Sequence, residues 1–181
     1  MTEINTILNQ FRQNIFDPAK DSANKLPDAQ GNYLVCLKKG SHFHFAAIHL
    51  LPRFVCFDDF AVIYTGIASK SLRNRDYKSH FRDNAGRSTL RKSIGVLFGY
   101  QQIPRDKNPA STKTKFNSVD EARLTDWMKT NLLMFYCVNP DCKEDEIKLI
   151  NHFKPPLNLQ NKLNDENSEY RKLLKQLRAE K

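Results

Sequence analysis

The stretch VIYTGIASKSLRNRDYKSHF, residues 62–81, passes from an apolar run into a polar segment rich in arginine and lysine. The β-branched and aromatic residues at its start favour a β-strand. Ser71 is a suitable helix N-cap, and the residues from Ser71 to Phe81 predict a helix. The stretch therefore predicts a strand that leads directly into a basic helix.

The chain before this stretch predicts one helix and several strands. Apolar residues recur at helical spacing over 4–16, and Asp17-Pro18 ends that helix. GNYLVCLKKG (31–40) predicts a strand, and SHFHFAAIHLL (41–51) is apolar and favours β structure. RFVCFDDFAVIYTG (53–66) predicts one or two further strands, with a turn at Asp58-Asp59.

The chain after it predicts mainly helices. Ser88 can cap a helix over 88–100, a polar and basic loop covers 99–115, and the capping-box pattern from Ser118 to Glu121 begins another helix. LLMFYCV (132–138) predicts a strand, and two more helices follow, from Asn139-Pro140-Asp141 to about residue 153 and over 164–181. This order predicts an α+β fold, a small and mostly antiparallel β-sheet flanked by helices.

Composition indicates a single domain. The chain has 181 residues, 40% of them hydrophobic, and no apolar run is long enough to span a membrane. The N-terminus lacks the pattern of a secretory signal, so we expect a cytoplasmic protein. The four cysteines are interpreted as core thiols rather than as metal ligands or a disulfide framework: Cys36, Cys56, Cys137 and Cys142.

Positive charge is concentrated in one quarter of the chain. Residues 70–115 carry twelve lysines and arginines but only three acids, a surplus equal to the net charge of +9 of the whole chain. A solvated basic face would explain this, but such segregation favours a polyanionic partner.

Six residues could carry chemistry when they are taken in order along the chain. Two predicted strands hold the tyrosines, the basic helix holds an arginine and a histidine about one and a half α-helical turns apart, and EIKLINHFKPPLN (146–158) holds a glutamate and an asparagine. Singly, each is compatible with packing or a solvated surface. The six are Tyr33, Tyr64, Arg75, His80, Glu146 and Asn158.

This ordered set resembles the GIY-YIG nuclease family. GNY (31–33) and YTG (64–66) correspond to the two halves of the family name, and the resemblance covers about residues 26–160. Asn32 and Thr65 stand where the family has isoleucine, and residues 39–57 form an insertion between the two motif strands. The expected organisation is an N-terminal helix and linker (1–25), a GIY-YIG-like nuclease domain (26–160) and a C-terminal helix (161–181), which we expect to pack onto the domain.

The resemblance implies a metal-dependent endonuclease that hydrolyses phosphodiester bonds in DNA. Tyr33 would be the general base, and Tyr64 would orient the water or the base. Arg75 would bind phosphate oxygens, with Arg73 and Arg82 as rivals for this role. The family's glutamate would hold one Mg²⁺ or Mn²⁺ ion, which places that ion on Glu146.

Two further roles follow from the same resemblance. Asn158 would hold the glutamate or the tyrosine cluster by hydrogen bonds, and His80 would assist proton transfer or contact phosphate. Expected contacts to the nucleic-acid backbone are Lys70, Arg73, Lys78, Arg82, Arg87, Arg91 and Lys92.

Two other functions remain open from the sequence. The chain could be a non-catalytic nucleic-acid-binding domain that retains the GIY-YIG fold, or an interaction protein that uses its terminal helices. The sequence decides neither the DNA site nor the oligomeric state, and restriction, repair, mobile-element and toxin roles all stay open.

Overall fold

A central antiparallel sheet organises the structure, which is a computed structural model that describes residues 4–43, 45, 47–107, 111, 113–160 and 165–180. The strands of this sheet are β1 (Ile15–Phe16), β2 (Gly31–Leu37), β3 (Cys56–Phe57), β4 (Phe60–Ala68) and β7 (Leu132–Val138), in the order β1-β7-β2-β4-β3. Every neighbouring pair is antiparallel. A separate two-stranded ribbon pairs β5 (Ile103–Pro104) with β6 (Thr114–Lys115).

Helices cover both faces of the sheet. They are α1 (Ile4–Gln13), a π-helix (Arg73–His80), α2 (Thr89–Leu97), α3 (Ser118–Asn131), α4 (Cys142–Phe153) and α5 (Ser168–Ala179), with a short 3₁₀ turn at Ala23–Lys25. The fold is therefore α+β, as the sequence predicts. Among the described residues, no helix is both long and apolar enough to cross a membrane.

Strand β2 is the central strand of the five, and every one of its residues is buried. Successive side chains point to opposite faces of a strand. Tyr33 and Val35 pack into the core beneath the π-helix, α2 and α3, whereas Leu34 and Cys36 pack into the core beneath α1 and α4. The sheet thus separates two hydrophobic layers, and Tyr33 belongs to the layer that contains the π-helix.

Several predictions about local structure need correction. The N-terminal helix ends at Gln13, and the two residues after Asn14 form β1 instead. No strand forms in the described part of 41–51. Asn117 rather than Ser118 caps α3, because its side chain accepts the Asp120 N–H.

The cysteines are reduced, and one of them is not a core thiol. All four are free, and Cys36, Cys137 and Cys142 are buried as expected. Cys56 is exposed because β3 lies at the edge of the sheet. Parts of the insertion, of the basic loop and of the C-terminal tail lie outside the described residues, namely 44, 46, 108–110, 112, 161–164 and 181.

Candidate active site

The two motif tyrosines lie side by side on β2 and β4. The strands pair so that Tyr33 is opposite Gly66 and Val35 is opposite Tyr64, and the tyrosine ring centroids are 6.2 Å apart. A Cβ atom at Gly66 would lie 2.5 Å from the Tyr33 hydroxyl oxygen. The glycine of YTG therefore leaves the space that the Tyr33 side chain occupies.

The π-helix brings His80 to Tyr33. The Nε2 atom of His80 lies 2.8 Å from the Tyr33 hydroxyl oxygen. Hydrogen bonds of a π-helix join residues five apart, so Arg75 and His80 lie about one turn apart on the same side. This corrects the spacing of one and a half turns that an α-helix would impose.

Ser88 contacts the second ring nitrogen of His80. Its buried hydroxyl oxygen accepts the Arg91 N–H and lies 2.6 Å from Nδ1 of His80. The buried imidazole therefore bridges the hydroxyls of Ser88 and Tyr33. In the tautomer with its proton on Nε2, Ser88 donates to Nδ1 and His80 donates to the Tyr33 oxygen.

His80 is neutral at ordinary pH. Burial lowers its pKa well below 6.5, and the charges of Arg75 and Arg91 lower it further. A neutral imidazole with its proton on Nε2 can stabilise negative charge on the Tyr33 oxygen by a hydrogen bond. The three side chains form a buried hydrogen-bonded chain from Ser88 through His80 to Tyr33.

Glu146 projects from the first half of α4 into a cleft of about 460 Å³ that Tyr64 and Asn158 also line. Partial burial raises the pKa of the Glu146 carboxyl, and the charge of Arg75 opposes this rise. The charge of Arg75 influences both Glu146 and His80, and its side chain lines two clefts, one of which shares Lys92 and Arg178 with the cleft of Glu146.

Asn158 holds β4 rather than the glutamate or a tyrosine side chain. Its Oδ1 accepts the Thr65 N–H at 2.9 Å, and its Nδ2 donates to the Thr65 carbonyl at 2.8 Å. One residue earlier, the Leu157 N–H donates to the Ile63 carbonyl. The turn after α4 therefore pairs with the exposed edge of β4 and fixes the segment that carries Tyr64.

The two polar residues that replace isoleucine act as structural ties. The Thr65 hydroxyl donates to the Tyr33 carbonyl at 3.0 Å, which links the two motif strands. The buried Asn32 side chain donates to the Cys142 carbonyl at 2.8 Å and also accepts from Asn139. It thereby attaches β2 to the start of α4, the helix that carries Glu146.

A family model described as the GIY-YIG catalytic domain matches residues 31–180. This chain belongs to the GIY-YIG family. The family assignment confirms the resemblance seen in the sequence and supports nuclease activity. No curated protein and no solved structure matches the chain.

The GIY-YIG match begins at the glycine of GNY and continues through α5. The structure packs α5 against α2, and Tyr170 and Leu174 of α5 join the main core. Lys175, Arg178 and Ala179 of α5 line the same cleft as Glu146. The C-terminal helix therefore packs onto the domain as predicted, and it also forms a wall of the cleft that Glu146 lines.

Arg91, one of the expected contacts to the nucleic-acid backbone, is buried inside the protein. Its guanidinium is fully buried, lies 2.7 Å from the Glu121 carboxylate and donates to the His80 carbonyl. Burial of an arginine requires such a partner. Arg91 instead fixes the end of the π-helix that carries His80.

The other predicted backbone contacts occupy different positions. Lys92 lines the cleft, and Lys70 lines a neighbouring groove together with Arg75. Arg73 donates to the Leu26 carbonyl, which ties the π-helix to the segment before β2. Arg82 stacks on Tyr77, Arg87 pairs with Asp83, and Lys78 is exposed.

Sequence reasoning missed Arg178 altogether and gave Ser88 only a capping role. Ser88 does cap α2, as predicted. The capping pattern gave no indication that the same hydroxyl contacts His80. Arg178 lies in a basic amphipathic helix whose pattern predicts packing alone. Nothing in its spacing from Glu146 or Tyr64 indicates a shared cleft.

Proposed function

We propose that this GIY-YIG protein is a divalent-metal-dependent endonuclease that hydrolyses phosphodiester bonds in DNA. One observation carries the proposal. The Tyr33 hydroxyl contacts His80, and the Tyr33 ring lies beside that of Tyr64, which lines a cleft with Glu146. The charge of Arg75 influences both His80 and Glu146. Hydrolysis needs a base, a phosphate ligand and a metal ligand close together, and these side chains can supply all three.

Tyr33 is the proposed general base. The hydrogen bond from Nε2–H of neutral His80 favours the phenolate form of Tyr33. Tyr33 is buried, so the attacking water has to approach through the cleft beside Tyr64. The Tyr33 oxygen takes a proton from this water as the water oxygen bonds to phosphorus, and the bond from phosphorus to the leaving sugar oxygen breaks.

Arg75 and Glu146 are proposed to act on the phosphate side of the reaction. The guanidinium of Arg75 presents a planar fork of donors to the non-bridging oxygens of the attacked phosphate. Its charge also keeps the half-buried Glu146 carboxyl ionised, because it opposes the rise in pKa caused by burial.

The donor set around Glu146 fits a hydrated Mg²⁺ or Mn²⁺. The carboxylate faces an open cleft, and the described residues include no group of three or more His, Cys, Asp or Glu side chains that could hold a metal ion. Mg²⁺ keeps several waters and takes only one or two protein carboxylates. When bound, such an ion polarises the phosphate and stabilises the charge of the leaving oxygen.

Cleavage of supercoiled plasmid tests the proposal. We expect wild type to nick or linearise plasmid with Mg²⁺ or Mn²⁺, and we expect Glu146→Ala and Arg75→Ala to lose this activity. Glu144→Ala, an exposed glutamate on the same helix, is the matched control and should cleave normally. DNA binding without cleavage by wild type on several substrates would overturn the proposal and favour a non-catalytic nucleic-acid-binding domain.

A further inference from the structure

A second cleft, here called the basic cleft, continues from the active-site cleft. It has a volume of about 210 Å³ and shares Thr89, Lys92 and Arg178 with the cleft of Glu146. Among the residues that the structure describes, no carboxylate belongs to its lining. Its cations come from four separate parts of the chain: Arg75, Arg87, Lys92, Lys113 and Arg178.

The structure anchors the end of α5 so that Arg178 reaches this cleft. The Nε2 atom of buried Gln102 donates to the Leu177 and Arg178 carbonyls, each at 3.2 Å. The Oε1 atom of the same Gln102 accepts the Thr114 hydroxyl at 2.7 Å. The guanidinium of Arg178 also donates to the Ser93 hydroxyl at 3.3 Å. Three elements of the fold therefore hold Arg178 at the junction of the two clefts.

Lys92 and Arg178 lie close together without a counter-charge. Burial lowers the pKa of each side chain, and the charge of Arg178 lowers the pKa of Lys92 further. In the described part of the chain, neither forms an ion pair with a carboxylate, whereas Arg87 and Arg91 each do. Two partly buried like charges destabilise the free protein, and an anion bound between them removes this cost.

We propose that the basic cleft binds a second, non-scissile phosphate of the DNA strand whose neighbouring phosphate is cleaved beside Glu146, with Lys92 and Arg178 as its principal ligands. This assignment rests on the proposed nuclease function. It makes α5 part of the substrate-binding surface. A phosphate held here fixes the position of the strand, so that the next phosphate lies against Arg75 and Glu146.

Salt-dependent binding of DNA to a cleavage-deficient protein tests the subsite. Full-length Glu146→Ala protein is titrated into a short fluorescein-labelled DNA duplex at several KCl concentrations, with and without Lys92→Ala plus Arg178→Ala. We expect the affinity to fall about tenfold to a hundredfold, because charge-assisted hydrogen bonds are lost. The slope of log Kd against log salt should fall by about 1, as expected for one lost phosphate contact.

The matched control is Lys143→Ala plus Lys172→Ala in the same background. These lysines are exposed, lie outside both clefts and give the same change of net charge. We expect this control to change affinity less than threefold. An equal loss in both double variants would overturn the subsite, because general charge attraction would then explain the binding.

Thermal unfolding and Arg178→Lys separate a binding role from a structural one. Lys92→Ala plus Arg178→Ala should not lower the unfolding midpoint, because it relieves a repulsion, and Arg178→Lys should retain intermediate affinity. A lowered midpoint together with wild-type affinity for Arg178→Lys would assign Arg178 to packing and overturn the proposal. If wild type fails to cleave but DNA binding still depends on Lys92 and Arg178, the nuclease proposal fails and the subsite stands.

Discussion

The two sides of the active site differ in how their polar groups are satisfied. On the side of Tyr33, the hydroxyl, the His80 ring and the Ser88 hydroxyl are buried and hydrogen-bonded to one another. On the side of Glu146, the cations Lys92 and Arg178 face open clefts without a carboxylate partner among the described residues.

This difference indicates which groups are organised before substrate arrives. The tyrosine side has its donors and acceptors in place within the protein, as a preorganised base requires. On the side of the cleft, Lys92 and Arg178 remain available to pair with a bound anion, as a surface that binds phosphate requires. Asn158 lines the cleft with Glu146, but its side-chain amide is hydrogen-bonded to the backbone of β4.

The largest effect on stability is expected for Asn158, because its two side-chain hydrogen bonds satisfy buried backbone groups. Asn158→Ala leaves the N–H and C=O of Thr65 without these partners, and we expect a loss of about 2–4 kcal/mol in the free energy of unfolding. Urea unfolding measures this loss. Asn151→Ala, an exposed asparagine on α4, is the control and should change stability by less than about 0.5 kcal/mol.

A different outcome for Asn158 would change its assignment. If Asn158→Ala keeps its stability but loses affinity for Mn²⁺, the residue supports the glutamate, one of the two roles that the family resemblance implied. Asn158 would then belong to the groups that support the metal ligand rather than to those that support β4.

A smaller effect is expected for Ser88, the positioning residue on the tyrosine side. With the proton of His80 on Nε2, Ser88→Ala removes the hydroxyl that donates to Nδ1, and we expect about a tenfold lower cleavage rate at saturating DNA. DNA affinity should not change. The loss should be the same at every pH at which wild type cleaves, because the two neutral tautomers of the imidazole carry the same number of protons. Single-turnover cleavage across a pH series measures the rate loss and its dependence on pH.

Ser88→Thr provides the matched comparison because it keeps a hydroxyl that can cap α2 and contact His80. It should restore most of the rate. An equal loss of cleavage rate in the alanine and threonine variants, with a parallel loss of stability, would show that Ser88 acts only as a helix cap. The proposed position of the His80 proton would then be contradicted.

The sequence was sufficient for most of the elements, because helix and strand patterns are local, and for the GIY-YIG family, because its residues follow a fixed order along the chain. Val62 to Gly66 had a strand pattern, and the tyrosines lie where adjacent antiparallel strands bring them together. The π-helix was not predictable, since its residues have the composition of an ordinary basic helix. In the π-helix, Arg75 and His80 lie about one turn apart rather than one and a half, and only the structure shows this.

The errors among the charged residues have a common physical cause. Arg87, Arg91 and Lys92 look alike in sequence, yet Arg91 is buried against Glu121, thirty residues away, and Lys92 lines the cleft. Arg178 joins Lys92 although eighty-six residues separate them, because α5 packs on α2. Burial and pairing depend on tertiary contacts, which charge patterns do not specify.

The most direct test of the account is the single-turnover cleavage rate of DNA bound to Tyr33→Phe, compared with wild type and with Tyr64→Phe. Phenylalanine keeps the ring packing and removes the hydroxyl that contacts His80. Loss of a general base predicts a rate about 10²–10⁴-fold lower for Tyr33→Phe, with unchanged DNA affinity. Cleavage by Tyr33→Phe at the wild-type rate, with Tyr64→Phe inactive, would contradict the account and assign the base to Tyr64.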